Sequence, residues 1–349
     1  MEVLSRGFHP GSNGMPSTKT PPTIYDVAEK AGVSITTVSR MLNMPDKVSP
    51  ETRDRILTAI DQLGFVPKAE ARARALRHTG RIGVITPFFT APAFVQRLRG
   101  IATALSKVSY ELVIYPVESS GQLESYFGSI PLTGGLDGLI VVSLPISDII
   151  ARRLNSFNIP TVLIEFSHPA LNCVEIDDSE GGQIAAEYLI CKGHKHVAFL
   201  ANSDIPEYAV ATLTQRFTGF RQTLADAGIE LPENYVCQAP NNQEQISQIT
   251  ANLLRLPFPP TAIFAALDSH AISVLKAARR LGIHVPDQLA IIGFDDLDIA
   301  EYADLTTIRQ YLDESGRLAV EILLSHIADP SRPVQHAKLP LTLIERLTA

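Results

Sequence analysis

The chain has 349 residues, 45% of them hydrophobic and none tryptophan, with a formal net charge of −7. That length supports two substantial cores, and the acidic balance excludes a protein that coats nucleic acid with its whole surface. The charge is uneven: residues 1–80 hold 11 Lys and Arg against 8 Asp and Glu, a net of +3, which leaves −10 on residues 81–349.

Residues 1–22 are rich in Gly, Pro, Ser and Thr and have no apolar core for a signal peptide. They are expected as a disordered tail, with Met15 an alternative start. The stretch 23–43, TIYDVAEKAGVSITTVSRMLN, reads as two short helices around a tight turn. Thr23 caps the first, Asp26 sits in its first turn, and Ile24, Val27, Ala28 and Ala31 form one apolar side. Gly32 supplies the positive φ that ends it, and Ser34 caps the second helix. There Val38 and Leu42 face inward, while Ile35 with Ser39 and Thr36 with Arg40 share another face. A short helix that offers a guanidinium, hydroxyls and one apolar side chain suits the DNA major groove.

Ser49-Pro50 starts a third helix with Ile56, Ile60 and Leu63 inside and Gly64 at its end. Residues 68–77, KAEARARALR, are too short for a stable isolated helix, which needs about 12–15 residues. With Arg72, Arg74 and Arg77 around Leu76, they are expected to fold on DNA, Leu76 entering the minor groove as a wedge.

From Arg81 onward apolar β-branched runs recur at 82–86, 111–115, 138–142, 160–165, 196–201, 261–266 and 289–294, with helices such as 94–107, 179–192 and 269–281 between them. This alternation predicts two doubly wound α/β lobes with parallel sheets. Ligands of such folds lie outside the carboxyl ends of the strands, here the cleft between lobes. Cys173, Cys191 and Cys237 form no Cys-x-x-Cys pair and are expected as buried free thiols of a reducing cytoplasm. No apolar run approaches membrane-spanning length. No G-x-S-x-G, P-loop, G-x-G-x-x-G or metal-spaced cluster is present, so no catalytic residues, metal or cofactor are expected.

The 23–43 stretch, with VSPETRDRILTAIDQLGFVP behind it, resembles the DNA-reading head of the lactose-repressor (LacI/GalR) family. The body segments IDDSEGGQIAAEYLICKGHKHVAFLA, QRFTGFRQTLADAGI, LAIIGFDD and LTTIRQ resemble that family's body, and the similarity covers nearly the whole chain after residue 22. The resemblance implies a three-helix helix-turn-helix head on a two-lobed, periplasmic-binding-protein-like α/β body. The expected organisation is a tail to 22, a DNA-binding domain over 23–67, a hinge over 68–80 and an effector-binding and dimerisation domain over 81–349, its lobes split near 177 and 309. It implies phosphate contacts from Tyr25, Ser34, Thr37, Ser39 and Asn43, and base contacts from Ile35, Thr36 and Arg40. In the effector cleft it implies Glu165, Arg216, Asp268, Asp295 and Gln310, while Phe88 and Phe94 would offer a sugar ring an apolar face.

The expected function is that of a cytoplasmic, homodimeric transcriptional regulator, a repressor without enzymatic activity. Its partners would be a near-palindromic double-stranded operator and a sugar or sugar-derived effector, with a nucleoside or purine corepressor as the alternative. Three departures from the family pattern stand out: Leu267 before Asp268, the apolar loop TPFFTAPAF after the first body strand, and Asp178 in place of the usual Asn. The hinge is best matched with a two-residue insertion around Ala71-Arg72, which puts Leu76 at the wedge position.

Overall fold

The computed structural model describes residues 22–43, 47–63, 65, 79–133, 135–210, 212–240 and 242–349. The chain divides into two compact units, residues 1–76 and 77–349. Leu76, its neighbours in the hinge and the tail to residue 21 lie outside the described residues.

The first unit contains α1 (Ile24–Ala31), α2 (Ile35–Asn43) and α3 (Pro50–Leu63). Asp26 accepts both the Thr23 N–H (2.6 Å) and its hydroxyl (2.7 Å), so an otherwise orphan donor at the start of α1 is satisfied. Gly32 adopts φ +62°, and the Val33 N–H returns to the Ala28 carbonyl at 3.0 Å, closing α1 as a Schellman cap. Arg55 of α3 also donates to the Ala31 carbonyl at 2.6 Å and thereby ties the turn to the third helix. Val27, Ala28, Ala31, Val38, Met41, Val48, Ile56, Ala59 and Phe65 form the small core. The expected inner stripe of α3 is therefore shifted: Ile56 and Ala59 are fully enclosed, whereas Ile60 and Leu63 pack at the margin.

The second unit holds two six-stranded sheets. The first contains β1 (Arg81–Pro87), β2 (Glu111–Val117), β3 (Gly138–Val142), β4 (Thr161–Ile164), β5 (Asn172–Glu175) and β11 (His336–Lys338), in the order β11-β5-β4-β3-β1-β2 and wholly parallel. The second contains β6 (Val197–Asn202), β7 (Val236–Ala239), β8 (Ala262–Ala265), β9 (Ala290–Asp295), β10 (Thr306–Arg309) and β12 (Thr342–Ile344), in the order β12-β10-β9-β8-β6-β7. Only β12 runs antiparallel to its neighbour.

Both faces of each sheet are covered, which is why these strands are continuously apolar. In β1, Ile82 and Val84 pack on one side and Ile85 on the other. In β9, Ala290, Ile292 and Phe294 face one core and Ile291 the opposite one. The covering helices are α4 (Pro92–Leu105), α5 (Ser120–Thr133), α6 (Asp148–Ser156) and α12 (Leu312–Ala328) for the first sheet. For the second they are α7 (Asp178–Cys191), α8 (Thr212–Asp226), α9 (Gln243–Leu254), α10 (Asp268–Arg280) and α11 (Asp298–Tyr302).

The chain passes between lobes three times: after β5, after β10, and between β11 and β12. The third passage was not read from the sequence. Two pairs of helices approach unusually closely, because a Cβ on Gly182 would lie 1.9 Å from the Arg216 carbonyl oxygen and one on Gly316 would lie 2.3 Å from that of Arg97. Among the thiols Cys173 is buried and Cys237 half-buried, but Cys191 is exposed, contrary to the expectation. It occupies the last turn of α7 on the side away from the sheet, where no core residue is required.

Candidate functional site

In the three-helix unit Ser34 accepts the Thr37 N–H at 3.1 Å and its hydroxyl meets that of Thr37 at 2.8 Å, so the Ser34 cap forms as the sequence predicts. Ile35 (41% exposed), Thr36 and Arg40 lie on the surface of α2, and Tyr25 (67% exposed) projects from α1. Thr37 and Ser39 are half-buried at the margin of that surface. An exposed isoleucine and tyrosine on so small a unit have no packing role there. The Asn43 and Leu42 side chains lie outside the described residues, and Met41 fills the inner position beside Val38.

In the body a cavity of about 310 Å³ opens where the carboxyl ends of both sheets meet. Phe88, Glu165, Arg216, Asp295 and Gln310 all line it, as does Phe94. The walls are apolar, from Phe88, Phe94, Ile205, Val210, Leu213 and Leu267. Phe88 and Phe94 meet edge to face with centroids 5.7 Å apart. The β6–α8 connection belongs to the second lobe but reaches the first: the Val210 N–H donates to the Ser143 carbonyl at 3.1 Å, and the Tyr208 hydroxyl donates to the Val117 carbonyl at 3.3 Å.

Backbone strain gathers around this cavity. Phe88 (φ +48°), Ser143 (+53°), Glu165 (+64°) and Asp295 (+120°) all line it with positive φ, a conformation that non-glycine residues adopt at a cost of about 1–3 kcal/mol. Each follows or ends a strand, so the strand ends aim these side chains inward at the expense of local comfort.

The polar floor is built from two buried guanidiniums. Arg97 of α4 donates to Glu165 at 2.5 Å and to the Ser315 hydroxyl at 3.0 Å. Burial pushes the Glu165 carboxyl up, but Arg97, the Ser143 hydroxyl and Arg216 together hold it below its ordinary range. Arg216 of α8 donates Nε–H to Asp178 at 2.7 Å and Nη1–H to the Ala266 carbonyl at 2.9 Å, and lies 3.6 Å over the Phe294 ring. Its carboxylate partner is therefore Asp178. Asp295 accepts from Gln310 Nε2 at 2.5 Å, and burial raises its pKa to about 7 despite Arg216 nearby. Gln310 Oε1 is buried without a partner.

Asp268 does not line the cavity. It is wholly buried, accepting from the Thr307 hydroxyl at 2.6 Å and the Leu297 N–H at 2.8 Å. Burial, and then the charge of Asp295, raise its pKa well above the carboxylate range. Its place is beneath the site, holding the β9–α11 loop against β10.

A strained, polar-floored cleft between two parallel sheets, with an exposed helix-turn-helix on a separate unit, finds its counterpart among known proteins. Residues 23–68 match the family described as bacterial regulatory proteins, lacI family, and residues 186–349 match the periplasmic binding protein-like domain. The repressor CytR of Escherichia coli K12 is 34% identical over 90% of this chain and 94% of its own length. The chain belongs to the LacI family.

Similar solved structures extend across both units. The lac repressor dimer bound to operator and the anti-inducer ONPF is 26% identical with a TM-score of 0.72, covering 94% of this chain and 99% of that one. A complex of the transcriptional regulator CelR with cellobiose is 28% identical with a TM-score of 0.66, covering 94% and 100%. This LacI-family member is thus a DNA-binding transcriptional repressor with an effector domain, and its relatives are regulators rather than enzymes. Among its described residues no helix is long and apolar enough to cross a membrane.

The sequence missed Arg97, Ser143 and Asp178 as parts of the site. Arg97 sits inside an apolar helical stretch, PAFVQRLRGIATAL, where an arginine on the inner face requires a buried carboxylate partner; that was the available signal. Ser143 gave none.

Proposed function

We propose that this repressor works in the cytoplasm as a homodimer, its two heads reading the half-sites of a near-palindromic operator. Ile35, Thr36 and Arg40 contact base edges; Tyr25, Ser34, Thr37, Ser39 and Asn43 contact phosphates, and Leu76 wedges the central step. A sugar or sugar derivative in the interlobe cleft controls operator affinity by favouring one degree of closure, which requires different affinities for the two states. The observation that carries the effector reading is the pairing of apolar walls at Phe88 and Phe94 with a polar floor at Glu165, Arg216, Asp295 and Gln310. Apolar ring faces and multiple hydroxyls are what such a cavity complements.

A nucleoside or purine is the second reading. It is favoured by the extent of the apolar wall, with Leu267 and Leu213 added to the two phenylalanines, since a flat base buries both faces.

Thermal shift against a panel of mono- and disaccharides, nucleosides and bases tests both, repeated with Arg216→Ala and Phe88→Ala. A sugar or nucleoside whose stabilisation is lost in both variants supports the reading. Stabilisation that survives both places the effector elsewhere. Analytical ultracentrifugation with and without operator tests the dimer.

A further inference from the structure

Each buried guanidinium in the cleft is matched by one carboxylate. Arg97 has Glu165 and Arg216 has Asp178, and both arginines are 2% exposed. Asp178 opens α7 next to the Asp177 cap and is itself only 4% exposed. The close packing of α7 on α8 sets this pair: Gly182 meets the Arg216 carbonyl, and a Cβ on Gly219 would lie 1.9 Å from the Ser179 carbonyl oxygen. No larger residue at either position permits the same approach.

With Nε on Asp178 and Nη1 on Ala266, the guanidinium is held 3.6 Å over the Phe294 ring centroid. Nη2 is the end with no hydrogen-bond partner among the described residues. The remaining open capacity on the floor is acceptor capacity: Gln310 Oε1 is buried and unpartnered, and Asp295 has given only Oδ1 to Gln310. No surplus positive charge is left among these groups. An anionic ligand would meet the Glu165 and Asp178 carboxylates with both guanidiniums already matched.

We propose that Asp178 sets the charge selectivity of the cleft: by matching Arg216 one for one, it makes the site accept an uncharged, hydrogen-bond-donating ligand and exclude phosphorylated or carboxylated analogues. Asp178 is a positioning residue here, acting on ligand choice through Arg216. The ligand's hydroxyl or N–H groups donate to Asp295 and Gln310, and Arg216 Nη2 donates to a ligand acceptor. This inference rests on the cleft being the effector site.

The test is Asp178→Asn in the full-length protein, which keeps an oxygen for Arg216 Nε and removes the charge. Binding of inorganic phosphate and of ribose 5-phosphate is measured by titration calorimetry at low salt. Wild type is expected to show no saturable heat with either probe. Asp178→Asn is expected to bind ribose 5-phosphate at least ten times more tightly than wild type, and Asp178→Asn combined with Arg216→Ala to lose that gain. Should Asp178→Asn not fold, judged by circular dichroism, Asp178→Ser takes its place and Glu165→Gln, which unmatches Arg97, is expected to open the site to the same probes. Saturable phosphate-ester binding by wild type overturns the proposal, as does a folded Asp178 variant no more receptive than wild type. These arms read the charge of the cavity whatever the effector is. The effector reading fails separately, when panel binding is indifferent to Phe88→Ala and Arg216→Ala.

Discussion

Arg99 of α4 and Asp298 of α11 join the two lobes of the body through a two-pronged ion pair, with nitrogen–oxygen distances of 2.7 and 3.2 Å. The same guanidinium holds Asp313 at the start of α12 at 2.8 Å. Both partners raise the Arg99 pKa further above its ordinary value, Asp313 first. The arginine and its partners are about half exposed, so the pair is worth little to global stability, within about 1 kcal/mol. Because it bridges the lobes, its expected effect is on their closure. Arg99→Ala is expected to leave Tm nearly unchanged while speeding hydrogen exchange at Val210, whose N–H bonds Ser143 across the cleft. Added salt should have the same effect on wild type. Unchanged exchange at Val210 would show that closure does not depend on this pair.

Arg55→Ala should destabilise the helix-turn-helix unit. Its guanidinium donates to the last carbonyl of α1, that of Ala31 at 2.6 Å, and to the carbonyl of the capping Gly32 at 3.2 Å. Hydrogen bonds from a charged donor contribute about 1.5–3 kcal/mol. Urea unfolding followed on the first unit should show that loss, with unfolding of the body unaffected. Operator affinity should fall with it, because α2 takes its orientation from this turn.

Arg40→Ala tests whether the exposed face of α2 reads sequence. A guanidinium that donates twice to one guanine is worth about 1–3 kcal/mol of discrimination. The expected result is relaxed specificity at one position per half-site in a systematic operator scan. A uniform loss across all sequences, with a shallower salt dependence, would mark Arg40 as a phosphate contact.

Two buried groups give opposite pH dependences. His270 of α10 is fully buried, neither ring nitrogen has a hydrogen-bond partner, and burial lowers its pKa to about 4. The unfolded chain therefore binds the proton more readily, and stability falls as pH drops from about 6.5 towards 4. The full loss is about 3 kcal/mol. His270→Leu is expected to flatten this part of the stability–pH curve in denaturant melts.

Asp295 behaves in the other sense. Its folded pKa, about 7, lies above the unfolded value, so the folded state holds a proton that the unfolded state releases. Its contribution is present in acid and is lost as pH rises towards and through 7. Asp295→Asn is expected to raise Tm at pH 8 by more than at pH 5 while abolishing effector binding. A variant less stable at pH 8 than wild type would mean that Asp295 is charged and stabilising.

Most of the architecture was legible because periodicity and caps agree. The strand runs at 82–86, 138–142 and 289–294 correspond to β1, β3 and β9 almost to the residue, since buried parallel strands must be apolar on both faces. β5, β7, β10 and β11 escaped because NCVE, VCQA, TTIR and HAK are short and mixed in polarity, and take their strand form from their neighbours. Among the cavity-lining residues, Asp295, Gln310 and Arg216 were named from the family resemblance, but the carboxylate partner of Arg216 was not. Gly181-Gly182 inside a helix was the overlooked clue: glycine costs a helix about 1 kcal/mol, so a pair of them marks a close crossing. That crossing is what brings Asp178 to Arg216. Asp268 was drawn into the site by its motif position, although Thr307 and Leu297 use both its oxygens.

The three passages between lobes also govern how the molecule can be made and broken. During synthesis each sheet waits for an outer strand supplied by residues 336–344, long after the helix-turn-helix unit has emerged from the ribosome. Neither lobe exists as a continuous fragment that could be expressed alone. A frameshift or protease cut ahead of β11 strips an edge strand from both sheets together, so the two lobes fail as one unit.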